Sequence, residues 1–153
     1  MAKTPTLLLV DDDYGVLQMV ASVLRTFGFN VIAEADSLRA LEMVTGGTAE
    51  ITVLVCDFDM PGVNGVQLAR AAKKHRPTVP VLILSGRFPP DLQPAPWDAW
   101  FVKGMHTTEL VAQLQALTQS CTSEQEGQGT ENDTAKGTTL SAYRLAMTPA
   151  GSW

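Results

Sequence analysis

Asp11-Asp12-Asp13, Asp57, Asp59, Ser85 and Lys103 are the residues whose types could do chemistry together. Two unit charges about 4 Å apart repel by roughly 1 kcal/mol in water and about 4 kcal/mol at an effective dielectric of 20. Three adjacent carboxylates therefore call for a cation among them or for separate structural duties. Asp13 has such a duty available, since Asp is favoured at a helix cap and first turn. Asp11 and Asp12 precede the cap and lack that explanation. Asp57 closes the apolar run Ile51–Cys56 and is followed at once by Asp59-Met60-Pro61-Gly62. A carboxylate there is either a strand-ending hydrogen-bond acceptor or a reactive group. Lys103 is a compact cation and Ser85 a hydroxyl donor, both suited to an anion. A carboxylate beside a divalent cation, Lys and Ser can attack phosphorus. His75 has no ligand-type neighbour and is assigned no role.

The elements that would position these groups follow from periodicity. Thr6–Val10 is a short, uniformly apolar run and reads as a first strand. Val16, Leu17, Val20, Val23, Leu24 and Phe27 recur at helical spacing over residues 13–27, with Gly28 as the stop. Residues 30–35 read as a second strand, and Asp36 or Ser37 caps a second helix that ends at Gly46-Gly47. The run ending at Asp57 is a third strand, rich in the β-branched residues that suit a sheet. Val66, Leu68, Ala69 and Ala72 line a third helix. Its end, Lys73-Lys74-His75-Arg76, reads as a solvated basic turn at a helix C-terminus. Residues 80–84 and 99–102 are two further buried strands. A last helix carries Leu110, Val111, Leu114 and Leu117, with Thr107 as its expected cap.

Strands alternating with helices predict an α/β fold, a parallel sheet covered on both faces. Right-handed crossovers bring all strand carboxyl ends to one edge, where ligands bind in open α/β sheets. That edge then gathers Asp11, Asp12, Asp57, Ser85 and Lys103. A hard cation such as Mg²⁺ suits the carboxylates, because it takes one or two of them together with waters and phosphate oxygens.

Val10-Asp11-Asp12, Asp57-Phe58-Asp59-Met60-Pro61-Gly62 with Gly65, Ser85-Gly86 and Lys103 resemble the receiver domain of two-component response regulators. The resemblance covers roughly residues 5–119. It implies a doubly wound, five-stranded, flavodoxin-like sheet. It also implies that Asp57 is the phosphoacceptor. Asp12 would ligate Mg²⁺ directly and Asp11 largely through water, with the Asp57 carboxylate and the Phe58 carbonyl as further ligands. Ser85 and Lys103 would bind the phosphoryl group. The donor it implies is a phosphohistidine on a sensor histidine kinase or a phosphotransfer protein. The chain would then be a signalling switch with an unknown downstream protein partner rather than an enzyme.

The chain departs from the family pattern in three places. Gly104 stands where a Pro usually follows the Lys, often after a cis bond. A cis peptide without Pro costs about 2.5–4 kcal/mol, so a trans or rearranged Lys103–Gly104 link is expected. The segment 87–98 holds Pro89, Pro90, Pro94 and Pro96 where the family has a full helix. Each interior proline costs roughly 3 kcal/mol in a helix, so that fourth helix is expected to be reduced or missing. Trp100 stands where the family has a Tyr or Phe that changes rotamer, and it reads either as a switch or as a core aromatic. Asp59 and Arg87 match the variable pair flanking the phosphorylation site. They are expected to pair across the pocket mouth or to remain two solvated side chains.

With 153 residues, 45% of them hydrophobic, the chain accommodates one domain, 1–119, and an extension, 120–153. The extension is polar and expected to be disordered. The net charge of -5 argues against a nucleic-acid surface. The apolar run near the N-terminus is too short for a signal peptide or a membrane span. Cys56 and Cys121 occupy unlike contexts, so no disulfide is expected and a cytoplasmic protein is; the extension shows neither the helix-turn-helix pattern nor the basic charge of a DNA-binding output domain, so a stand-alone receiver is expected. Two other functions compete with the switch. One is a receiver-like interaction module that no longer responds to phosphate. The other is a haloacid-dehalogenase-type phosphohydrolase, suggested by the acid-x-acid pair Asp57 and Asp59.

Overall fold

The computed structural model describes residues 3–47 and 49–123. The side chain of Cys121 and the extension from residue 124 onward lie outside the described residues. Among the described residues nine elements follow in order: β1 Thr6–Val10, α1 Tyr14–Thr26, β2 Asn30–Glu34, α2 Ser37–Gly46, β3 Val53–Asp57, α3 Gly65–His75, β4 Val81–Ser85, β5 Ala99–Val102 and α4 Thr107–Ser123. The strands form one parallel sheet in the order β2-β1-β3-β4-β5. Apart from Thr6, Asp57 and Ser85 at their ends, β1, β3 and β4 are apolar because they lie between other strands and are covered on both faces.

Side-chain alternation divides the core in two. Leu7, Leu9, Val53, Val55, Leu82, Leu84 and Phe101 pack with the apolar faces of α1 and α4. Leu8, Val10, Leu54, Cys56, Ile83 and Trp100 pack with α2 and α3 on the opposite face. Helix starts follow the expected chemistry. Asp13 caps α1 by accepting from Val16 N–H at 3.1 Å, and Asp36 caps α2. Asn64 and Gln67 form a reciprocal capping box on α3. Thr107 is the first residue of α4 rather than its cap. α4 continues to Ser123, past the boundary at 119.

Between β4 and β5 the chain makes no helix, as the prolines require. Residues 87–98 instead lie as an irregular strap against α3 and β4. Asp98 pins its end: the carboxylate accepts from Val81 N–H at 2.8 Å and pairs with Lys73, and Asp98 N–H donates to the Val81 carbonyl at 2.8 Å. Trp97 fills part of the space left by the helix, with its ring centroid 5.0 Å from that of Trp100.

The basic end of α3 is more committed than a solvated turn. Besides the Lys73 pair, Arg76 donates to the carbonyls of Met43, Val44 and Ala49 at 2.7–3.0 Å. Those carbonyls lie at and just beyond the C-terminal end of α2, where helical acceptors lack intrahelical partners.

Candidate functional site

The carboxyl ends of β1, β3, β4 and β5 bring Asp11, Asp57, Ser85 and Lys103 to one edge of the sheet. Asp11 follows β1 and is buried. Its Oδ1 accepts from Asp13 N–H at 2.9 Å, and its Oδ2 from Lys103 Nζ at 2.9 Å. Asp12 is exposed. Asp57 is the last residue of β3, and its Oδ1 accepts from Phe58 N–H at 2.9 Å and lies 3.2 Å from Lys103 Nζ. Carboxylate oxygens of Asp11, Asp12 and Asp57 all lie within 4.8 Å of one another. This donor set of hard oxygens, only partly neutralised by one ammonium, fits a divalent cation. The Phe58 carbonyl accepts from Gly65 N–H at 2.9 Å and retains a second lone pair.

Electrostatics follow from this crowding. Burial pushes the Asp57 carboxyl above its ordinary value. Lys103 opposes that rise, the charge of Asp11 adds to it, and the Phe58 N–H opposes it. Burial would lower the Lys103 ammonium, but its hydrogen bond and charge pairing with Asp11, together with Asp57, hold it above its ordinary value. Burial raises the Cys56 thiol far out of the reactive range, and the neighbouring Asp57 adds to the effect, so Cys56 is packing.

Ser85 is buried, and its Oγ accepts from Arg87 N–H at 3.1 Å. Arg87 Nε and Asp59 Oδ2 are 3.9 Å apart and both side chains are exposed, so they make a loose pair at the pocket mouth. Trp100 is buried with its ring centroid 5.2 Å from that of Phe58, and its Nε1–H donates to the Arg87 carbonyl at 2.9 Å. The Lys103–Gly104 link is not cis, and Gly104 has φ +97°.

Two supporting residues were not singled out in the sequence for what they do here. Ser37 Oγ donates to the Pro61 carbonyl at 2.7 Å and accepts from Val63 N–H at 3.1 Å. It thereby braces the loop after Asp57 from the first turn of α2. A lone Ser in a helix start carries no signal of that duty. A Cβ on Gly65 would come within 2.4 Å of the Asp57 carbonyl oxygen and 2.9 Å of the Phe58 Cα. The glycine lets α3 start directly beneath the acid, and its presence in the quoted motif was the only signal.

The family model for the response regulator receiver domain matches residues 7–93. The chain belongs to that family. The match ends inside the proline-rich strap, before Lys103. The transcriptional regulatory protein PrrA of Mycobacterium tuberculosis is 36% identical over 118 residues, covering 74% of this chain and 50% of PrrA. The phosphate regulon regulator PhoB of Pseudomonas aeruginosa is 27% identical over 118 residues, covering 73% and 51%. The chain spans about half the length of these relatives. A receiver protein from Sinorhizobium medicae, 27% identical, superimposes with a TM-score of 0.71 over 78% of this chain and 98% of that one. The Thermotoga maritima regulator TrrA, solved with Mg²⁺-BeF, gives 0.69 at 21% identity over 74% and 99%. No helix among the described residues is long and apolar enough to cross a membrane.

Proposed function

We propose that this receiver domain accepts a phosphoryl group on Asp57 from a phosphohistidine of a sensor kinase or phosphotransfer protein, and signals by protein contact. One observation carries the reading: three carboxylates lie within 4.8 Å of one another, with the Lys103 ammonium 3.2 Å from Asp57. Without an incoming cation and anion, that much like charge at a buried edge is unfavourable.

The Asp57 contacts fall on Oδ1, leaving Oδ2 free of protein donors among the described residues. We assign Oδ2 as the attacking atom. Its lone pair forms the new O–P bond, the P–N bond to the donor imidazole breaks, and that nitrogen keeps the electron pair. Lys103 is placed to follow the added charge by shifting its ammonium from Asp57 to a phosphoryl oxygen. The Ser85 hydroxyl, which already accepts from Arg87, still has its proton to donate. Asp11, Asp12, the Asp57 carboxylate and the Phe58 carbonyl would hold Mg²⁺, which supplies charge neutralisation at the phosphoryl oxygens. The loose Asp59–Arg87 pair would limit entry of hydrolytic water.

The downstream partner is inferred to be a protein, because the net charge of -5 does not suit nucleic acid. Its contact surface would include the strap that replaces the helix between β4 and β5. A second reading, a module insensitive to phosphate, is favoured by that strap and by Gly104. Incubation with Mg²⁺ and acetyl phosphate separates the two. The switch gains the mass of one phosphoryl group, and Asp57→Ala gains none. No uptake by the native chain would leave the insensitive module.

A further inference from the structure

The strap that takes the place of a helix between β4 and β5 leaves a groove against α3. The groove encloses about 430 Å³ and is lined by Arg70 and Lys73 of α3 and by residues 92–96 of the strap. Leu92, Pro94 and Pro96 make the strap side largely apolar. The α3 side is cationic. Arg70 is exposed and has no hydrogen bond or ion pair among the described residues, and the same holds for Lys74. Lys74 stands four positions on from Arg70 and so extends the same helical face. Lys73 is already paired with Asp98. Asp91, the other acid of the strap, is outside the lining and makes no ion pair among the described residues. Two cations thus border an apolar groove with no carboxylate to balance them, in a chain whose net charge is -5.

The chain carries a matching anion of its own. In a parallel sheet a helix that follows a strand runs back toward the amino edge. α3 and α4 therefore both end at the edge opposite Asp57. α4 lies on the α1 face, and α3 with the strap on the other. Helical layers on opposite faces of a sheet are roughly 20 Å apart. α4 ends at Ser123, and Glu124, Glu126, Glu131 and Asp133 follow it with no Lys or Arg before Lys136. A fully extended chain spans at most about 3.3–3.6 Å per residue. Glu124 and Glu126 therefore fall short of the groove. Glu131 and Asp133 have a reach of up to about 29 and 36 Å from Ser123, which is enough. Acids on the same chain meet the groove at an effective concentration of about millimolar, which favours ion pairs too weak to hold a free peptide.

We propose that the acidic segment Glu131–Asp133 docks in the groove between α3 and the strap, its carboxylates pairing with Arg70 and Lys74 beside the apolar lining of Leu92, Pro94 and Pro96. The docking does not depend on phosphoryl transfer to Asp57. Where the strap is the partner contact proposed above, this segment competes with the partner for it.

The test is zero-length cross-linking of the full chain with a carbodiimide, which joins a lysine amine to a carboxylate in contact with it. Linked peptides are quantified by mass spectrometry against the Lys3–Glu50 link, an exposed ion pair between other elements. A link from Lys73 or Lys74 to Glu131 or Asp133 is expected. Arg70→Glu, which turns attraction into repulsion, is expected to reduce it at least about 3-fold. Arg39→Glu, at an exposed position of α2, is expected to leave it unchanged. Glu131→Gln with Asp133→Asn removes both acceptors and is expected to abolish it. Absence of the link in the native chain, while Lys3–Glu50 forms, overturns the proposal. So does a link that Arg70→Glu leaves unchanged, which marks passing encounters alone. Mixing ¹⁵N-labelled and unlabelled chains decides the remaining case: links formed equally between the two put a second copy in the groove and overturn docking within one chain.

Discussion

Lys103 reaches across 92 positions of sequence to donate to Asp11 Oδ2 at 2.9 Å, closer than its 3.2 Å approach to Asp57. Asp11 is the more buried of the two acids, so its charge has the greater need of a partner. Asp57 is left with a shared cation and the less complete compensation. The imbalance favours the phosphoacceptor role proposed for Asp57, because its lone pairs are not tied up by a dedicated partner.

The imbalance has a pH signature. Asp57 in the folded chain holds its proton more tightly than in the unfolded chain, burial being the first cause. A group raised on folding contributes stability that is fully present below its unfolded value, about 4, and lost as pH rises through its folded value. Asp57→Asn removes that loss. Its urea midpoint at pH 7 is expected to exceed that of the native chain, with the gap closing as pH falls toward 4. A native chain more stable than the variant at pH 7 would contradict the stated balance of burial and Lys103.

A divalent cation is expected to relieve the same repulsion. Mg²⁺ at about 100 times its dissociation constant stabilises by roughly 2.7 kcal/mol if it binds the folded chain alone. Thermal melts with and without Mg²⁺ read this directly. Asp12→Asn, at an exposed position, is expected to reduce the Mg²⁺-dependent rise while leaving the metal-free melt nearly unchanged. An equal rise in both chains would remove Asp12 from the cation site.

Gly65→Ala tests the packing under the acid. The new Cβ meets backbone atoms at 2.4 and 2.9 Å, which cannot rotate away as a side chain could. A loss of about 1–3 kcal/mol in urea unfolding is expected from overpacking, together with slower phosphorylation as Asp57 and Phe58 shift. A stable variant with the native rate would show that α3 can move outward freely.

Ser37→Ala probes the brace on the loop that follows Asp57. It removes the donor to Pro61 and the acceptor from Val63 at a buried site. Leaving such groups unpaired costs about 1–3 kcal/mol. Urea unfolding is the measurement, and a change below about 0.5 kcal/mol would mean that water replaces the hydroxyl.

Gly104→Ala addresses the link after Lys103. Its φ of +97° lies where L side chains are strained. A loss of roughly 1–2 kcal/mol is expected, since nothing crowds the added methyl sterically. Gly104→Pro cannot hold this angle at all, because proline fixes φ near −65°. It is expected to displace Lys103 and slow phosphorylation further than Gly104→Ala does.

Much of the architecture was legible in the residues. Short apolar runs, helical spacing and caps at Asp13 and Asp36 are local signals, and each element forms within a few residues of where they place it. The four prolines of residues 87–98 likewise forbid a helix by local sterics alone. The handedness of the crossovers then carries Asp11, Asp57, Ser85 and Lys103 to one edge without any knowledge of side-chain packing. Family resemblance proposed duties for those residues, but not their contacts.

What only the tertiary structure decided is which side chain meets which. Lys103 pairs with Asp11 as well as Asp57, Ser37 braces Pro61 and Val63, Arg76 binds carbonyls around the end of α2, and Trp100 holds the carbonyl of Arg87. None of these pairings has a periodic signature. They depend on rotamers and on the angstrom-scale separation of elements distant in sequence, which the packing of two core layers sets and composition does not encode. The amino-acid pattern thus determined where the polar groups gather, whereas the packed fold determined which of them pair with one another.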